Sequence, residues 1–263
     1  MRRATMARAS IMALVAAMVV TAAPAAAIIG GTPDGQGHPN VGALDVRPTG
    51  LRIPASGVLI SPTVYVTAGH VTRFFDNAGV TRARVTFDPV YSDSATFFEG
   101  TVHTHPSFGA FPGRNDPYDI GVVVFDEPVP GITPATLPTA GLLDELGAQG
   151  LGDEVYPVVG YGITRLLGGA DGGGTPRPDR DSAGTRKTGE WRFLSLTPDW
   201  IRFDMGDAQG CTGDSGAPNF LGESSLVVGI GIGGDAACST MGSDLRLDTA
   251  RARAFLGQFV DLP

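Results

Sequence analysis

A serine hydroxyl is a poor nucleophile until a base removes its proton, and an imidazole acting as that base needs a third group to fix its tautomer. The 263-residue chain carries all three kinds of group. Ser215 stands in "GCTGDSGAP", where Gly213 and Gly216 bracket the Asp214–Ser215 pair. Glycine tolerates backbone angles that other residues cannot, so the stretch suits a tight turn. Such a turn could present the Ser215 hydroxyl and aim main-chain N–H groups at a developing negative charge. The same residues also make an ordinary surface loop, and only the rest of the chain can decide.

Four histidines are candidate bases: His38, His70, His103 and His105. His70 closes "YVTAGH", an apolar strand-like run ending in small residues, which places its ring at a strand end beside a turn. His38 in "GHPN" reads as a loop residue. His103 and His105 in "HTHP" would share a strand face and could hold a metal, but no nearby Cys or third His completes a set, and no metal is expected. For the third group, Asp119 immediately precedes the β-branched run "IGVVVF". A carboxylate at the mouth of a buried strand is costly unless hydrogen-bonded, and an imidazole N–H is a suitable partner. Asp116 and Asp126 read as turn residues flanking that strand.

The elements that must position these groups are strands. Gly (38) and Pro (20) are abundant and only 17% of residues are charged, which favours short strands and many turns over a helical bundle. The runs "SGVLI", "TVYVTA", "ARVTF", "IGVVVF", "EVYPVVGYG", "WIRF" and "SLVVGIGIGG" are β-branched or aromatic and are separated by turn residues. The pattern is all-β, sandwich or barrel. One helix is expected, over about 248–260, capped by Asp248, with Ala252, Phe255, Leu256, Phe259 and Val260 at helical spacing. Leu166 to Gly189 reads as a long exposed loop, and Thr104 to Pro117 as a second long connection.

Residues 1–27 combine a basic start, an apolar core and the small-residue end "APAAA", the pattern of a secretory signal peptide cleaved after Ala27. Its removal, with three arginines, takes the net charge from −8 to −11. A nucleic-acid partner is therefore not expected, nor a membrane association once the leader is gone. Export places Cys211 and Cys238 in an oxidising compartment, where one disulfide is the simple expectation.

"YVTAGH", "YDIGVVVF" and "GDSGAP", in the order His, Asp, Ser, resemble the trypsin/chymotrypsin-like serine peptidases, in a secreted bacterial-type form. "IIGG" at Ile28, "GYG" at Gly160 and "VVGIGIGG" near Gly229 fall where that family has comparable segments, so the likeness spans residues 28 to about 259. It implies two six-stranded antiparallel β-barrels, about 28–140 and 141–247, followed by the C-terminal helix, with the site in the cleft between them. It also implies that Ser215 attacks the scissile carbonyl, that His70 serves as base and then acid, and that Asp119 holds His70. The amides of Gly213 and Ser215 would form the oxyanion hole. Asp214 would pair with the free amine of Ile28, which cleavage after Ala27 creates directly. The implied activity is peptide-bond hydrolysis on protein or peptide substrates, by a secreted monomer without cofactor.

Two departures from the family stand out. Ala55 and Val71 occupy the places of a common second disulfide. Gln209, six residues before Ser215, stands where the family sets the floor of its specificity pocket, with Ile232 and Gly234 on the walls. A neutral floor favours uncharged side chains before the cut. A non-catalytic binding protein or an esterase on the same scaffold would share most of these features.

Overall fold

The computed structural model describes residues 28–111, 116–168, 175–233, 238 and 242–263. The leader 1–27 lies outside them, as do Gly234 and part of the segment from Leu166 to Gly189. Apolar β-branched runs bounded by turns cannot bury both faces alone, and here they close into rings.

The first ring comprises β1 (Val41–Leu44), β2 (Ala55–Ser61), β3 (Val64–Thr67), β4 (Arg82–Thr86), β5 (Phe97–Thr104) and β6 (Gly121–Phe125). All neighbours are antiparallel, in the order β1-β2-β3-β6-β5-β4, and pairing of Ala43 with Thr86 and of Leu44 with Val85 returns β4 to β1. The second ring comprises β7 (Val155–Gly160), β8 (Lys187–Leu196), β9 (Trp200–Asp204), β10 (Pro218–Phe220), β11 (Val227–Gly233) and β12 (Gly242–Arg246). Its order, β7-β8-β9-β12-β11-β10, repeats that of the first, and the bridge from Asn219 to Val158 closes it. The chain is thus two closed six-stranded antiparallel barrels of one topology. Val85, Val102 and Val123 fill the first, around an aromatic cluster of Tyr65, Phe87, Phe98 and Phe125. Tyr156, Val158, Trp191, Ile201 and Phe203 fill the second.

Among the described residues three α-helices accompany the strands, two more than the sequence pattern suggests. Helix α1 (Gly69–Ala78) follows β3 directly and stops at Gly79, in the left-handed region at φ 66°. Its buried face is Gly69, Val71, Thr72 and Phe75, in a stretch that the sequence pattern places at a turn after the strand. Helix α2 (Leu142–Gly152) lies at the start of the second half. Helix α3 spans Ala250–Leu256, shorter than expected, and its cap is Thr249, whose Oγ1 accepts the Ala252 N–H at 3.2 Å. Asp248 serves elsewhere: it accepts from the Arg246 guanidinium and from the Leu143 N–H at the start of α2.

The segment expected as an exposed charged loop carries two of the most buried side chains. Arg186 is inserted between the barrels and donates to the carbonyls of Val41 at 3.0 Å and Phe87 at 2.9 Å and to Asp34 Oδ2 at 2.9 Å. A rigid five-donor fork can be buried when carbonyls and a carboxylate meet it at each point, which sequence spacing does not reveal.

His103 and His105 both pack against aromatic rings of the C-terminal segment. The His103 ring meets Phe259 at 5.2 Å, and His105 lies between Tyr118 at 4.6 Å and Phe255 at 5.0 Å. Burial pushes the His105 imidazole below its ordinary range. His38 stacks on Phe220 and hydrogen-bonds Asp34.

Candidate active site

Where the barrels meet, His70, Asp119 and Ser215 form one hydrogen-bonded row. His70 Nε2 lies 2.8 Å from Ser215 Oγ, and His70 Nδ1 lies 2.9 Å from Asp119 Oδ2. The imidazole side chain is 30% exposed, the carboxylate 7%. A carboxylate accepts only, so the Nδ1 proton points to Asp119 and leaves Nε2 with a lone pair toward the serine hydroxyl.

The local sequence explains this placement. His70 sits in the first turn of α1, and its main-chain N–H donates to Asp119 Oδ1 at 2.7 Å. One carboxylate therefore satisfies an orphan amide at the helix start and orients the ring of the same residue. The approach needs Gly69, where a Cβ would come within 2.7 Å of the Ile120 nitrogen. The small residues of "TAGH" let the helix lie against the chain at Asp119.

Ser215 is held by its neighbours rather than by its own hydroxyl. Gly213 and Gly216 take φ values of +99° and +83°, a region that L side chains rarely adopt. The Ser56 N–H donates to the Ser215 carbonyl at 3.0 Å, and the Gly216 N–H to the Gly231 carbonyl at 2.7 Å. Ser56 Oγ donates to the Gly213 carbonyl at 2.9 Å. Among the described residues the N–H groups of Gly213 and Ser215 reach no protein acceptor. Amides held in a turn without an acceptor can receive an oxyanion.

Asp214 points away from this row. It accepts from the Gly162 N–H at 2.9 Å and the Cys211 N–H at 3.0 Å. Burial pushes its carboxyl up to about 7 despite those two amides. Ile28 is fully buried in the second barrel's core, and Ile29 exchanges main-chain hydrogen bonds of 2.9 and 2.8 Å with Gln209. The Cys211–Cys238 disulfide is formed, with Cα atoms 5.2 Å apart.

A cavity of about 510 Å³ opens beside the row, lined by His70, Ser215, Trp191, Gly231, Ile232 and Asp244 among others. Ile232 is among the residues lining it. Gln209 is not among the lining residues: its main chain runs against Ile29. Gly234 lies outside the described residues. Asp244 lies in none of the motifs quoted from the sequence.

Twin barrels with a serine, an imidazole and a carboxylate aligned at their junction define the chymotrypsin-like architecture. The Trypsin family model matches residues 28–246, and the chain belongs to that family. The solved structure of HL collagenase is similar over 89% of this chain and all of its own length, with a TM-score of 0.67 at 18% identity. At that identity the likeness speaks to fold. No curated protein matches the sequence.

Proposed function

We propose that the chain is a secreted serine endopeptidase. The observation that carries this reading is the row Ser215 Oγ–His70 Nε2 at 2.8 Å and His70 Nδ1–Asp119 at 2.9 Å. Ser215 Oγ bonds to the scissile carbonyl carbon while its proton passes to His70 Nε2. The resulting oxyanion is received by the Gly213 and Ser215 amides. The C–N bond then breaks as the imidazolium gives its proton to the leaving amine, and a water repeats the sequence to release the acid and restore Ser215. Asp119 stabilises the imidazolium and holds its tautomer. The leader supports export, and the Ile28 amine freed after Ala27 would pair with Asp214 and fix the oxyanion-hole turn. No cofactor takes part, and the acting unit is a monomer on protein or peptide substrates.

A fluorophosphonate probe tests the reading. The mature protein should be labelled on Ser215, and Ser215→Ala should not be labelled. It should also cleave a peptide amide, not only an activated ester. An unlabelled but folded protein would show a binding module on a peptidase scaffold, and label with ester turnover alone would show an esterase.

A further inference from the structure

One residue of the first barrel holds the nucleophile's turn at two points. Ser56 on β2 is fully buried. Its N–H donates to the Ser215 carbonyl at 3.0 Å, and its Oγ donates to the Gly213 carbonyl at 2.9 Å. These are the carbonyls of the two residues whose amides are proposed to receive the oxyanion. The Ser56 hydroxyl has no freedom of direction. It accepts the Tyr161 N–H at 2.9 Å, and its own proton goes to the Gly213 carbonyl, which can only accept. The Ser56 carbonyl is fixed in turn by Thr67 Oγ1 on β3, which donates to it at 2.7 Å.

Such a clamp answers a mechanical problem. An amide that waits for an oxyanion has no acceptor to hold its direction, and Gly213 at φ +99° has no side chain to resist rotation. The groups around it must set that direction. In the Gly213–Asp214 peptide, Ser56 holds the carbonyl and the Asp214 N–H donates to the Cys211 carbonyl at 2.9 Å. Two consecutive amides just after β7 anchor the turn by separate routes, Tyr161 through Ser56 Oγ and Gly162 through the Asp214 carboxylate. Both routes pass close to Gly160, where a Cβ would come within 2.3 Å of Asp214 Oδ1 and 3.2 Å of Ser56 Oγ. The Asp214 route depends on the charge of a buried carboxyl. The Ser56 route carries no charge.

Building on the peptidase reading, we propose that Ser56 is a positioning residue for the oxyanion hole, its hydroxyl holding the Gly213 amide in the direction that receives the developing charge. Its effect belongs to the transition state, because the substrate carbonyl acquires its full negative charge only there. Loss of the hydroxyl leaves the Tyr161 N–H and the Gly213 carbonyl without this partner and frees the peptide to turn.

The test uses a peptide that the mature protein cleaves, with two analogues that end at the cut in an aldehyde or in an alcohol. Ser215 Oγ adds to the aldehyde carbon, which sends the former carbonyl oxygen into the hole, whereas the alcohol keeps the remaining contacts and forms no oxyanion. Ser56→Ala should lower kcat by roughly 30-fold, less than the worth of an oxyanion donor itself, with KM held within about 2-fold. The aldehyde should bind more weakly by the same factor, and the alcohol as before. Ser56→Gly keeps the main-chain N–H and removes the same hydroxyl, so it should give the same split and decides the matter if Ser56→Ala fails to fold. An unchanged kcat, or equal weakening of aldehyde and alcohol, would overturn the role of Ser56 alone. A native protein that takes no fluorophosphonate label on Ser215 would remove the peptidase reading, and the proposal with it.

Discussion

Replacing Ser215 by alanine should lower kcat/KM on a peptide substrate by about 10⁶-fold, and replacing His70 by alanine should cost about as much. The double replacement loses no more than either alone. The reason is that the two groups perform one act. With Nε2 at 2.8 Å from Oγ, the imidazole matters to the chemical step only through the proton it takes from this hydroxyl. Without the hydroxyl there is nothing for the base to do, and without the base the hydroxyl stays a poor nucleophile. Asp119→Asn should fall short of these effects, near 10⁴-fold, because it disturbs the ring's tautomer and leaves both reacting groups in place. Additive losses in the double variant would show that Ser215 and His70 act separately.

A chain that keeps residues ahead of Ile28 should be both slower and differently stable from one that begins at Ile28. Asp214 stands beside Ser215 in the turn whose amides are proposed to receive the oxyanion, so a loosened turn should cost about 10²- to 10³-fold in kcat/KM, the worth of an oxyanion donor. The stability difference has a definite sign. With Ile28 nitrogen in a peptide bond, the Asp214 carboxyl is pushed up to about 7 from 3.8. The unfolded chain thus releases this proton near pH 4, while the folded chain holds it until about pH 7. Stability of the extended form therefore falls as pH rises between those values and levels off above them. If the freed Ile28 ammonium pairs with this carboxylate as proposed, its pKa should drop and that decline should disappear. Asp244 is also raised, but equally in both forms, so it cancels in the comparison. Melting temperatures of the two forms between pH 4 and pH 8 should diverge in favour of the mature chain. Parallel curves would show that Ile28 and Asp214 are not paired.

The residues proposed for chemistry were legible because each lies in a short stretch whose local physics is restrictive. "TAGH" needs small residues for α1 to approach Asp119, and "GDSG" needs left-handed angles at Gly213 and Gly216. The strands were legible from β-branched runs, and their closure into two rings follows from the resemblance those motifs carried. What stayed hidden depends on partners distant in sequence. Helix α1 stays hidden because the apolar face of Val71, Thr72 and Phe75 is defined only once β5 and β6 cover it. Arg186 looks like a solvated charge until Val41, Phe87 and Asp34, each about a hundred or more positions away, supply its acceptors. Asp244 falls in no recognisable motif, and only its register with Gly231 brings it to the cavity. Thr249 rather than Asp248 caps α3 because Asp248 is drawn inward by Arg246.

The measurement that bears most directly on the proposed chemistry is a rapid acid quench of the mature protein with a peptide substrate, followed by mass mapping of its fragments. The expected result is the acyl half of the peptide attached to the fragment holding Ser215, formed before steady-state release and lost on treatment with hydroxylamine. Turnover of the peptide with no acyl group on Ser215, or with one on another residue, would contradict the account.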